Sequence, residues 1–352
     1  MTPAGISSFI SMISQLPDGN LCLVGEAMDP DGDLVTQGRI MIVNPAVNRI
    51  VWQKTFAPPD DFSNTRFVAC RSDGKYVYVG ANVDTDSARS LSHTLAYVFK
   101  FDDHGKLVAK HNLETGGLNS LVYDIDVDAE GVNVVGVDLG ADPSKEKYAL
   151  YFVKLDSNLK KAQLTRLAKG GFDHLATARL SKEGAYLAGN FHPAVAQKNA
   201  AVADYAISRI SPAHKYLFSV RPRGAPAGDI ATAISPNNDV ISLGSTGATT
   251  HLTVVNNEGK VVQDLHLKSA YCATESLSAD ARTVYAVRAG CADQQTKIVA
   301  IAWKDGAEKI LAGTGGAKIV GQSVMTYPLE GRLLVVSKKS DGSLLLQAIA
   351  AP

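Results

Sequence analysis

No apolar run in the 352 residues approaches the ~18–20 needed to cross a bilayer as a helix. No block of like charge extends beyond a few residues, and 35 basic residues balance 35 acidic ones. A nucleic-acid platform and a polybasic membrane anchor are thereby disfavoured. Sustained helical periodicity is missing as well. The four cysteines form no Cys-x-x-Cys and no Cys–His zinc spacing. There is no Gly-x-Ser-x-Gly elbow, no P-loop and no dinucleotide fingerprint, which removes the commonest hydrolase and nucleotide chemistries. The opening MTPAGISSFISMIS lacks the basic start and long apolar core of a signal peptide. That fits either a cytosolic chain or one whose signal has been removed.

What is present is a repeat. LPDGNLCLVG (16–25), RSDGKYVYVG (71–80), DAEGVNVVG (128–136) and SKEGAYLAG (181–189) share one pattern of turn residues and alternating apolar residues. SPNNDVISLG (235–244), SADARTVYAV (278–287) and PLEGRLLVVS (328–337) are weaker copies, so the spacing is roughly fifty residues. A second hairpin repeats beside the first: AYVFKFDDHGKLVAKH (96–111), YFVKLDSNLKKAQL (151–164), YAISRISPAHKYLFSV (205–220) and HLTVVNNEGKVVQDL (251–265). Period-two patterning with Gly, Asn and Asp at the turns signifies strand–turn–strand. Four strands per unit, repeated seven times, predict an all-β seven-bladed β-propeller as a single domain over 1–352. The blades are expected near 7–57, 63–114, 119–168, 172–222, 228–267, 271–313 and 318–352. The last is expected to lack an outer strand and to be closed by residues 1–6 or left incomplete.

FVKLDSNLKK with AKGGFD (152–161, 168–173) and VFKFDDHGK with ETGG (98–106, 114–117) carry a further likeness. The unit resembles the seven-bladed propeller repeat family of bacterial proteins, with its Asp-Gly turn, Val-x-Lys-Leu-Asp strand and closing Gly-Gly. The resemblance degenerates after about residue 225, and it implies a fold without an activity. The Trp-Asp dipeptide of WD-repeat propellers and the Ser-x-Asp-x-Gly-x-x-Trp box of sialidases are absent. Two tryptophans are too few for a quinoprotein dehydrogenase.

Cys272 and Cys291 are expected at the same mouth of one hairpin, and Cys22 and Cys70 at similar heights in adjacent blades. Each pair is a disulfide candidate. Four buried thiols are the alternative. In propellers the loops after the second and fourth strands gather on one face. There Asp29, Asp31, Asp33, Asp60, Asp61, Asp84 and Asp86 form an acidic sector. Lys145, Lys147, Lys169, Lys198, Arg221 and Arg223 form a basic one. A face split by charge suits oriented docking of a protein partner. DPDGD (29–33) has the alternating oxygens of a calcium loop, but it lacks the EF-hand spacing and closing Glu. No cofactor is therefore expected. Counting five residues back from the turn glycine levels Asp126 with Arg179, and Ser14 and Ala69 with both, predicting a structural Asp126–Arg179 ion pair. His174 and His192 fall in one blade without metal spacing, and GTGGAK (313–318) reads as an inter-blade turn.

The expected function is that of a non-catalytic, monomeric binding protein, for example an inhibitor or immunity protein of a toxic enzyme. A periplasmic or secreted location fits its cysteines. A propeller hydrolase or lyase using channel carboxylates, with or without a divalent metal, is the alternative.

Overall fold

The computed structural model describes residues 7–28, 36–46, 49–57, 62–85, 94–117, 119–139, 149–160, 162–167, 171–192, 204–220, 230–246, 249–267, 273–289, 296–312, 322–339 and 343–352. Among these residues every regular element is a strand. The chain lays down antiparallel four-strand sets in order. The first set is β1 (Ser7–Gln15), β2 (Leu21–Met28), β3 (Thr36–Asn44) and β4 (Arg49–Phe56). The second is β5 (Phe62–Ser72), β6 (Val77–Thr85), β7 (Thr94–Phe101) and β8 (Leu107–Asn112). One parallel bridge, Thr36 to Asn64, joins these two into an eight-stranded sheet.

Separate sheets follow: β9 (Asn119–Asp128), β10 (Gly131–Leu139), β11 (Ala149–Leu155), β12 (Ala162–Arg166); then β13 (Gly171–Ser181), β14 (Gly184–His192), β15 (Asp204–Ile210), β16 (Tyr216–Val220). After them come β17 (Ile230–Ile234), β18 (Val240–Thr246), β19 (Thr249–Val255), β20 (Val261–Leu267), and β21 (Ala273–Ala279), β22 (Thr283–Ala289), β23 (Lys297–Ala302), β24 (Glu308–Ala312). The last sheet has three strands: β25 (Gln322–Leu329), β26 (Arg332–Lys338) and β27 (Leu344–Ala350). The expected closing segment, residues 1–6, lies outside the described residues.

Burial explains the strand sequences. Second strands such as Leu21–Val24 are fully buried because sheets stack on both of their faces, so they read as continuous apolar runs. Each hydrophobic cluster sits between two consecutive strand sets. One more, including Ile13, Leu23 and Val336, joins the three-stranded sheet back to the first. Fourth strands face solvent, and five of them break register with their neighbour. In four, the residue skipped at the break is an exposed aliphatic: Val51, Val108, Leu217 and Val262.

The hairpin turns between third and fourth strands place one residue in the left-handed region. It is Gly105 (φ 76), Leu159 (φ 59), His214 (φ 56), Gly259 (φ 84) or Gly306 (φ 70), and a Cβ on Gly306 would touch Leu267. This position leans on the preceding sheet. A Cβ at Gly105 would collide with the Trp52 ring, and one at Gly259 with Phe218. Elsewhere the residue itself fills the gap. Leu159 is buried against the β5–β8 sheet, and His214 stacks on Phe152 with ring centroids 4.4 Å apart.

Cys22 in β2 and Cys70 in β5, one of the two candidate pairs, are bonded, with Cα atoms 6.4 Å apart. Cys272 and Cys291 lie outside the described residues. The bond spans 48 residues and ties two neighbouring four-strand sets. Replacing both cysteines by alanine is expected to cost about 2–4 kcal/mol, read as a lower urea midpoint. Both residues are inaccessible to solvent, so a thiol label added with reductant should report the pair only after unfolding.

Candidate functional site

First strands surround a common cavity of about 1050 Å³, lined from β1, β5, β9, β13, β21 and β25. Each of these six strands skips residues in its pairing with the second strand. The skipped positions include Ser11, Val68, Tyr123, Ala176, Glu275 and Val324, and all six line the cavity. A β-bulge re-aims a side chain that regular pairing would fix. The ring of bulges therefore turns six non-identical side chains toward the central space. Phe9, Ile10, Met12, Leu121, Leu175 and Met325 are apolar parts of the remaining wall, which Asn82, Thr177 and Ser276 make polar in about equal measure. Arg66, whose Nε donates to Ser11 Oγ at 3.1 Å, and Glu275 supply its cation and its carboxylate.

The bulges explain two of the glycines that end repeat copies, Gly25 and Gly136. A Cβ at Gly25 would overlap the Phe9 carbonyl oxygen, and one at Gly136 the Leu121 carbonyl oxygen and the Tyr151 ring. The bulged strand presses its backbone against the second strand, and only glycine leaves room. Gly80 lies inside β6, which continues to Thr85, so it does not mark the strand end its place in the repeat suggests.

Toward the first hairpin turns, polar ties cross from sheet to sheet. Ser14 Oγ donates to the Cys70 carbonyl at 2.8 Å. Arg71 Nη2 donates to both Asp124 oxygens at 2.9 and 3.0 Å, and Nη1 to the Cys70 carbonyl. The Leu180 N–H donates to Asp124 Oδ2 at 2.8 Å. Arg179 Nη1 donates to the carbonyls of Ile234 and Ser235, and Ser278 bonds Thr326 at 2.7 Å. Burial pushes the Asp124 carboxyl above its ordinary range, while Arg71 and the Leu180 N–H pull it back. Burial likewise raises Asp126 and Tyr327 and lowers Arg179, and Arg71 bears on all three.

The expected Asp126–Arg179 ion pair is replaced by Arg71–Asp124. Asp126 and Arg179 feel each other's charge but form no ion pair among the described residues. Counting from the turn glycine misled because the hairpin loops differ in length. Two residues separate Asp128 from Gly131, four separate Ser72 from Val77, and five separate Gln15 from Leu21. Strand pairing puts Arg71, not Ala69, level with Arg179, since Arg71 faces Tyr78 as Arg179 faces Tyr186. Asp126 is level with both, since it faces Asn133, and Arg71 reaches past that level to Asp124.

Of the acidic sector only Asp84 is described, and its Oδ1 accepts from Thr94 Oγ1 at 2.6 Å. Asp29, Asp31, Asp33, Asp60, Asp61, Asp86, Lys145, Lys147, Lys169, Lys198, Arg221 and Arg223 lie outside the described residues, as do DPDGD and GTGGAK. His174 and His192 sit on paired strands, opposite Asn190 and Gly171. Among the described residues no three His, Cys, Asp or Glu side chains converge as a metal site would need.

No protein-family model matches the sequence, and no curated protein does. Solved structures do match. The β-propeller domain of the Trilobed protease from Pyrococcus furiosus aligns at TM-score 0.54 and 9% identity, over 100% of this chain and 95% of that one. The Pseudomonas aeruginosa periplasmic gluconolactonase PpgL aligns at TM-score 0.52 and 15% identity, over 97% and 88%. Saccharomyces cerevisiae Sqt1 aligns at TM-score 0.52 and 10% identity, over 100% and 98%. At such identities the shared property is the β-propeller fold.

Proposed function

We propose that the chain is a non-catalytic seven-bladed β-propeller that binds a protein partner on the face where its channel opens. The sheet-to-sheet order of the hydrophobic clusters, returning from β25–β27 to β1–β3, supports the count of seven. One observation carries the functional reading: the fully buried carboxylate of the first strands is already spent. Asp124 accepts from Arg71 and the Leu180 N–H and is closed to solvent, which suits a floor rather than an acid–base pair. The cavity between the first strands mixes polar and apolar walls with non-repeating bulged side chains, the kind of surface on which specificity is built. The charged sectors read in the sequence belong to the connections after second and fourth strands, and on this reading they are what the partner meets. An inhibitor or immunity protein would use such a face. The Cys22–Cys70 bond favours the periplasm or an extracellular setting.

Glu275, which lines the channel, favours the second reading of a hydrolase or lyase. Affinity capture from the native source tests both. A single stoichiometric partner is expected, lost when Asp29, Asp31 and Asp33 are changed together to Asn and weakened by salt. Turnover of an ester, lactone or peptide by the purified chain, abolished by Glu275→Gln, would overturn the binding reading.

A further inference from the structure

A second cavity, of about 380 Å³, opens between the β9–β12 and β13–β16 sheets near the first hairpin turns. Its neighbours explain why it is there. In the β5–β8 sheet, Tyr78 pairs in register with Lys100. The Tyr78 hydroxyl donates to Asp73 at 3.0 Å, and Lys100 Nζ donates to the Ser157 carbonyl of the next sheet at 2.7 Å. The ammonium also lies 5.4 Å from the Tyr78 ring centroid. In the β13–β16 sheet, Tyr186 and Arg209 repeat the device, with Arg209 Nη1 donating to the Asn257 carbonyl at 2.6 Å. Ring and cation together close the inter-sheet cleft.

Between these two, the β9–β12 sheet puts Asn133 and Lys154 at the same paired positions. Asn133 is too short to replace a phenol, although its amide still donates to Asp128 at 2.9 Å, as Tyr78 does to Asp73. Lys154 turns outward to Glu130. The cleft stays open, walled by Phe152, Val134, Val153 and Leu180, with Asp128 and Lys182 at its polar edge. His214 stacks on Phe152, and Pro212 takes the place that Ser157 and Asn257 hold in the neighbouring turns. The volume falls within the usual range for small-ligand sites, about 300–1,000 Å³.

From this break in the repeat we infer that the cleft binds a small phenol, free or as a tyrosyl side chain. The ring replaces the missing tyrosine between Phe152 and Leu180, and the hydroxyl donates to Asp128. The inference is independent of the channel. Calorimetric titration of the full chain with p-cresol and with Gly-Tyr-Gly tests it, Gly-Leu-Gly serving as control. Saturable binding of either probe, weakened about tenfold or more by Asn133→Tyr, is expected. Preference for p-cresol would assign a free ligand, and preference for the peptide a tyrosyl side chain. Failure of both probes, or equal binding by Asn133→Tyr, would overturn the proposal. Soaking wild-type crystals with 4-bromophenol avoids dependence on that variant. A bromine peak beside Asn133 supports the site, and its absence there rejects it.

Discussion

Replacing Asp124 with alanine is expected to lower the unfolding free energy by about 3–5 kcal/mol, the usual cost of removing one partner from a buried ion pair. The loss has two parts. Arg71, only 20% exposed, would keep its charge without its ion-pair partner, with Asp126 as a neighbouring carboxylate. The Leu180 N–H would also lose its acceptor, and an unsatisfied buried donor costs about 1–3 kcal/mol. Asp124→Asn should recover part of the loss, since an amide oxygen can still accept from Leu180. Changing Arg71 to Met and Asp124 to Leu together should be milder than Asp124→Ala alone, because the orphaned charge is gone. Urea midpoints of the four proteins would show the order. A double variant worse than Asp124→Ala would mean that the pair contributes more than mutual compensation.

The second large effect is expected at Gly136. Alanine there should cost about 3 kcal/mol, at the upper end for overpacking, because its Cβ meets the Leu121 carbonyl and the Tyr151 ring at once. Gly74 provides the contrast. It has φ 89 and open space around a Cβ, so alanine there should cost only about 1–2 kcal/mol of left-handed strain. Gly80 should fall between, since its obstacles are the Val122 and Ile125 side chains of the next sheet. Thermal midpoints ranked Gly136, Gly80, Gly74 by damage are expected. Equal losses at Gly74 and Gly136 would remove crowding as the cause.

This contrast marks what could be read from residues. RSDGKYVYVG announces a turn and a strand, because both depend on neighbours along the chain. Asp73 shows the local chemistry: burial alone would raise its carboxyl. Backbone N–H groups of Tyr76 and Lys75 and the Tyr78 hydroxyl hold it below its usual range instead. The three strands expected near 320–327, 331–338 and 343–349 are found at Gln322–Leu329, Arg332–Lys338 and Leu344–Ala350. What escaped was anything set by an adjoining sheet. Gly80 looks like punctuation until the next sheet is packed on it. Arg71 and Asp124 lie 53 residues apart, and their meeting depends on loop lengths that a repeat alignment ignores. The open cleft at Asn133 was legible in principle, as a short polar residue at the position of Tyr78 and Tyr186, where the first and fifth sets carry Cys22 and Ile241. Its meaning required knowing what those rings plug.

The breaks in the fourth strands bear on behaviour at high concentration. A chain of similar repeats is at risk of recognising other copies of itself, since a strand that fits one edge fits many. Val51, Val108, Leu217 and Val262 interrupt the straight ladder of amide groups that such zippering needs. Their aliphatic side chains stand outward without a flat strand behind them to template growth. At these four strands edge-to-edge pairing between molecules is thereby disfavoured. The repeats can stay alike enough to stack within one ring without spreading into a filament.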